Sequence, residues 1–262
     1  MLSFLLFFLF DINDFNNFTI FFLQAYRIFV IFISTDMLKI YYLRISDFQH
    51  LSEDELFPLV GEDTVRKVTG YKNPGVRRTK LLGEGMIRRL LFRLWGLHKE
   101  DYLIRIGEHG KPLVESRFTV WYNLSHSGDY IVAAFSHLEV GIDIEQKRKA
   151  RMEVARRFFH PAEIQCLQNL AGDAQDELFF RYWSVKESFL KYTGSGLSSP
   201  LSGFEVRFDG HRPRIFQSEN LRNLSISACP VDPAYKCFVC AETTEEPGIF
   251  PFLVPDLFLP DE

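Results

Sequence analysis

The chain has 262 residues, with 30 lysines and arginines against 34 acidic residues and a formal net charge of −4. That length can bury a sizeable core, as one large domain or two small ones. With 47% hydrophobic and 24% charged residues the chain is globular rather than disordered, and its overall charge gives no reason to expect nucleic acid.

The first 36 residues stand apart: they hold 10 of the 27 phenylalanines and no Gly, Pro or Lys. They lack the basic start and small-residue cleavage site of a signal peptide. The apolar stretch 19–34 contains Gln24 and Arg27 and is shorter than the about 20 residues of a membrane span. We expect Met37 to be the true start and 1–36 to be dispensable; the rival is an N-terminal membrane anchor.

Alternation predicts a strand over 39–45, and Ser52 with Glu55 is a capping box opening a short helix over 52–59. Nine cations lie between Arg66 and Arg93 against one acid, Glu84, which is either a nucleic-acid patch or a solvated helix face. A helix is predicted over 79–95, ended by Gly96, then a strand over 101–106. Two strands, 121–124 and 130–135, flank a turn at Ser125-His126-Ser127-Gly128. A strand over 140–145, a helix over 152–159, a helix opening at Pro161 and a long helix over 177–192 follow. Late strands are expected over 204–208, 224–228 and 237–242, then an irregular tail with four prolines. Cys237 and Cys240 have C-x-x-C spacing, but on a strand they face opposite sides, which suits burial better than metal.

Two segments carry the chemistry. On the strand Val140-Gly141-Ile142-Asp143-Ile144-Glu145 the two carboxylates share one face and the isoleucines the other, while Gly141 admits a close approach to the backbone. On the helix carrying Trp183-Ser184-Val185-Lys186-Glu187-Ser188-Phe189-Leu190-Lys191, Glu187 and Lys191 are i,i+4 neighbours. Alone, the first reads as a solvated edge and the second as a surface ion pair. Together they supply three hard oxygen ligands and a cation, which suits a divalent metal that handles phosphate.

These segments, with Gly110-Lys111-Pro112, Asn123-Leu124-Ser125-His126-Ser127-Gly128 and Arg156-Arg157-Phe158-Phe159 before Glu163, resemble the larger class of 4′-phosphopantetheinyl transferases over about residues 37–242. The resemblance implies an α+β fold of two similar α/β subdomains related by a pseudo-two-fold axis. Their expected bounds are 37–138 and 139–244, with a tail over 245–262. It implies transfer of phosphopantetheine from coenzyme A to a serine of an acyl or peptidyl carrier protein, with release of 3′,5′-ADP. Mg2+, or Mn2+, would be held by Asp143, Glu145 and Glu187. Lys191 would act on the leaving group and Glu187 as ligand, base or both. Lys111, Pro112, Ser125, His126 and Lys191 would contact coenzyme A. Arg77 and Arg78 precede Leu81-Leu82-Gly83 one residue off the family's common register, so both stay candidates for nucleotide contact. Leu197, Leu201 and Phe204 are candidates for carrier docking, with plain packing as the alternative. A cytoplasmic monomer without membrane or nucleic-acid partners is expected. The competing reading is another metal-dependent phosphotransfer or phosphodiester-hydrolysing enzyme.

Overall fold

The computed structural model describes residues 20–23, 28–31, 38–107, 110–196, 199–216, 224–243 and 246–258. Met37 and Leu197 lie outside the described residues, as does most of the N-terminal extension. Within that extension β1 (Ile20–Leu23) pairs antiparallel with β2 (Ile28–Ile31). No helix among the described residues is long and apolar enough to cross a membrane.

The remainder is α+β and runs through one connectivity twice. In the first pass β3 (Lys39–Arg44) leads through α1 (Glu53–Leu56) and α2 (Glu62–Thr69) to the long α3 (Pro74–Trp95). The ribbon β4 (Tyr102–Ile106) with β5 (Pro112–Ser116) follows, then β6 (Trp121–Ser127) and β7 (Tyr130–Ser136). In the second pass β8 (Val140–Gln146) leads through α4 (Met152–Phe158) and α5 (Pro161–Gln168) to the long α6 (Asp173–Thr193). A ribbon of β9 (Glu205–Asp209) and β10 (Arg212–Phe216) follows, then β11 (Leu224–Ala228) and β12 (Tyr235–Glu242). In each pass the first strand pairs with the last, which also pairs with the last but one: β3-β7-β6 and β8-β12-β11. The passes meet in the loop between β7 and β8.

Packing follows from alternation. One face of the first sheet packs under α3, burying Leu43, Phe135, Leu82, Met86 and Leu90. One face of the second packs under α6, burying Phe238, Cys240, Val185 and Phe189. The two remaining faces meet in a third core, where Ile40, Val132 and Ala134 touch Ile142, Ile144, Cys237 and Val239. Cys237 and Cys240 therefore do face opposite sides of β12, and all four cysteines are free.

The structure departs from the expected elements in the tail, at the start of α3 and at the turn after β6. The tail is not irregular: β13 (Gly248–Pro251) pairs parallel with β3, and α7 (Val254–Phe258) buries Leu257 against α3. This segment covers the otherwise open edge of β3, and Arg93 holds it through Asp256 at 3.0 Å. Helix α3 starts five residues earlier than expected, because the Asn73 side chain caps the N–H groups of Gly75 and Val76 ahead of Pro74. The turn after β6 is also shorter than expected, so His126 sits on the strand. Leu201 and Phe204 are each only 4% exposed and belong to the second core, so plain packing holds and neither offers a docking surface.

Candidate active site

Helix α6 crosses β8 at Gly141. A Cβ there would stand 2.2 Å from Ser188 O and from Tyr192 N, so only glycine lets the helix lie this close. On the helix the matching positions are small: Ser184 and Ser188 are fully buried, and the Ser184 hydroxyl donates to Lys236 O at 3.1 Å. Asp143 and Glu145, on the same face of β8 as Gly141, thereby meet the side chains of α6.

The result is a compact acid pole. Lys191 Nζ donates to Asp143 Oδ1 at 2.7 Å and to Ser125 Oγ at 2.9 Å. Ser125 Oγ in turn donates to Asp143 Oδ1 at 3.0 Å. Asp143 Oδ2 is buried and has no hydrogen-bond partner among the described residues. Ser127 Oγ donates to Glu145 Oε2 at 2.8 Å, and the Trp183 indole N–H also reaches the Glu145 carboxylate. Burial, and then the negative charge of Asp143, raise both Glu145 and Glu187 above the ordinary carboxylate range.

A cavity of about 780 Å³ opens beside this pole. His126, Glu187, Lys191, Lys111 and Pro112 line it, and so does a stripe of α3: Thr79, Lys80, Gly83, Glu84, Ile87 and Arg88. The stripe is one helix face at three-to-four residue spacing. Lys80 and Arg88 are thus the cations that α3 presents to the cavity. Arg77 and Arg78 do not line it. Arg77 pairs with Glu53 at 2.8 Å, and Arg78 donates to Phe48 O and Leu51 O at 2.9 and 2.8 Å. Lys111, aimed by the Gly110-Lys111-Pro112 turn, donates to Tyr192 O at 2.6 Å and lies over the Trp121 ring, so it closes the C-terminal end of α6 while lining the cavity. Burial, and then the ammonium groups of Lys80 and Lys191, hold His126 below the usual imidazole range.

Sequence reasoning brought Asp143, Glu145, Glu187, Lys191, Ser125 and His126 into one neighbourhood, and the structure places them there. It gave no individual role to Asn123 and Ser127 of the motif, to Lys80 and Arg88 of the basic block, or to the Trp183 indole. The spacing of two in Asn123-x-Ser125-x-Ser127 was the available signal for the first two.

Among the described residues no three acidic, His or Cys side chains converge closely enough to hold an ion as they stand. The donor chemistry nevertheless fits a hard divalent cation. All donors are carboxylate oxygens, and among the described residues the buried Asp143 Oδ2 has no hydrogen-bond partner.

An α+β fold with a carboxylate and lysine pole beside a cavity lined by charges of both signs is an arrangement suited to a phosphate ester. Comparison with known proteins is more specific. The family model described as the 4′-phosphopantetheinyl transferase superfamily matches residues 139–240. The 4′-phosphopantetheinyl transferase Sfp of Bacillus subtilis (strain 168) is 37% identical over 179 residues, covering 68% of this chain and 79% of that protein. The 4′-phosphopantetheinyl transferase gsp of Aneurinibacillus migulanus is 32% identical over 182 residues, covering 70% and 76%. The 4′-phosphopantetheinyl transferase psf-1 of Bacillus pumilus is 37% identical over 166 residues, covering 63% and 70%. The chain belongs to the 4′-phosphopantetheinyl transferase superfamily and is an enzyme of that class.

Proposed function

We propose that the chain moves phosphopantetheine from coenzyme A to a serine hydroxyl of an acyl or peptidyl carrier protein in an Mg2+-dependent reaction that releases 3′,5′-ADP. The observation that carries this reading is that His126, Glu187 and Lys191 line one cavity beside the orphaned Asp143 oxygen. A volume of about 780 Å³ is within the roughly 300–1,000 Å³ of ligand pockets.

Phosphoryl transfer of this kind depends on positioning and charge neutralisation. His126, Lys80 and Arg88 would bind the phosphates of coenzyme A, and Lys111 and Pro112 would shape the wall beside them. Glu187 would accept the proton of the carrier serine as its oxygen attacks the β-phosphorus, a role that its raised proton affinity suits. The bond from that phosphorus to the bridging oxygen breaks, and Lys191 stabilises or protonates the departing 3′,5′-ADP. Asp143, Glu145 and Glu187 would hold the Mg2+, or Mn2+, whose contribution is to offset charge on the pyrophosphate. A monomer is the proposed acting unit. Free cysteines support a reducing, cytoplasmic setting.

The test follows both products of an incubation with coenzyme A, Mg2+ and an apo carrier. 3′,5′-ADP should appear in step with modified serine and stop with EDTA. Cleavage of coenzyme A without a carrier, or transfer indifferent to EDTA, would contradict the reading.

A further inference from the structure

The two sheets are joined edge to edge without a backbone ladder. Strand β6 is an edge of the first sheet and β8 an edge of the second. The N–H groups of Ile142, Ile144 and Gln146 are met by side chains of β6: Asn123 Oδ1 at 2.9 Å, Ser125 Oγ at 3.4 Å and Ser127 Oγ at 3.1 Å. Both series step by two residues, so every tooth of one strand fits one gap of the other.

The two hydroxyls do a second thing. Each accepts from the N–H that follows a carboxylate residue and donates its proton to that carboxylate: Ser125 to Asp143 and Ser127 to Glu145. A hydroxyl has one proton and two lone pairs. With the backbone N–H on the oxygen, the proton is directed at the acid, and the acid is fixed relative to its own strand. Ser125 also accepts from Lys191, whereas Ser127 joins the Glu145 carboxylate to the Gln146 N–H. Direct contact with a phosphate or serine substrate is not needed for either bond.

We infer that the comb Asn123-x-Ser125-x-Ser127 sets the orientation of the carboxylates on β8, and that Ser127 is a positioning residue for Glu145. This rests on the reading of Asp143, Glu145 and Glu187 as the cation-holding pole. Partners that orient metal ligands in this way typically carry about 10-fold to 100-fold in metal affinity.

The test measures Mn2+ binding by the electron paramagnetic resonance of the free ion, for the full chain and for S127A, S127T and D143A, each checked by circular dichroism. S127A should weaken Mn2+ binding about tenfold and raise the metal concentration for half-maximal transfer by a similar factor. It should leave the KM for the carrier unchanged. S127T keeps the hydroxyl and should bind like the parent. Unchanged Mn2+ binding in S127A, or S127T binding as weakly as S127A, overturns the inference. Loss of the fold in S127A also overturns it, because Ser127 would then be structural. If the parent chain shows no specific Mn2+ site, or D143A binds Mn2+ as tightly as the parent, the cation pole itself falls. If D143A loses binding and S127A does not, only the positioning role falls.

Discussion

Gly141 lies directly beneath the backbone of Ser188: a Cβ on the glycine would sit 2.2 Å from the serine carbonyl oxygen. Neither chain can yield at that point, because β8 is paired with β12 over its full length and α6 is anchored by its buried side chains. Gly141→Ala should therefore cost at least about 2–3 kcal/mol of stability, read by urea denaturation. It should also move α6 off β8 and separate Glu187 and Lys191 from Asp143. A fully stable alanine variant would show that the close approach is not required.

Lys191 and Asp143 form a half-buried pair, with side chains 27% and 5% exposed. Lys191→Met leaves the Asp143 carboxylate without the cation it pairs with, which should lower stability by about 1–3 kcal/mol. Transfer should fall about 10²- to 10³-fold, as for loss of a donor that stabilises developing charge. Added Mg2+ should raise the melting temperature of the variant more than that of the parent, since ligands that bind only the folded state stabilise it. Equal Mg2+ shifts in both proteins would count against a cation beside Asp143.

Glu187 is held above the ordinary carboxylate range by burial and by the charges of Asp143 and Glu145. An acid raised on folding adds stability below its unfolded pKa and loses that contribution as pH rises through the folded value. Metal-free protein should therefore lose melting temperature from this group as pH rises from about 4.5 towards neutrality. Glu187→Gln should melt higher than the parent at neutral pH in EDTA, yet lose about 10²- to 10⁴-fold in transfer rate if it is the proton acceptor. A variant that melts lower at neutral pH would refute the electrostatic account.

His126 has the opposite sign. Burial and the ammonium groups of Lys80 and Lys191 hold it below the usual imidazole value. An imidazole lowered on folding costs stability as pH falls below its unfolded pKa of about 6.5. NMR titration of the free protein should place His126 below that value, and Lys80→Met should move it upward. Bound coenzyme A should raise it too if its phosphates sit there. A His126 that titrates normally in the parent would contradict the described surroundings.

The carboxylates were legible because strand and helix periodicities are short-range: Asp143 and Glu145 share a face at i,i+2, and Glu187 and Lys191 at i,i+4. The capping box of Ser52 and Glu55 was legible for the same reason, and the structure has both of its hydrogen bonds. Part of what sequence did not reveal depends on partners far along the chain, and part on local signals that were read too narrowly. β13 forms because β3 has an open edge some 200 residues earlier. The strand β10 contains Pro213, a residue that argues against a strand unless, as here, it belongs to an isolated two-stranded ribbon. Arg77 and Arg78 stood in the right block, but once Asn73 fixes where α3 begins, it is Lys80 and Arg88 that face the cavity. The duplicated connectivity leaves no repeat in the residues, since hydrophobic alternation can be satisfied by many sequences.

The proposed role of Asp143, Glu145, Glu187 and Lys191 is the transfer of phosphopantetheine. The most direct measurement is the intact mass of an apo carrier protein after incubation with coenzyme A, Mg2+ and either the parent chain or D143A. A phosphopantetheine adduct should appear on the carrier serine with the parent, and none with a folded D143A. No adduct on any of several acyl and peptidyl carriers, or an equal adduct with D143A, would contradict it.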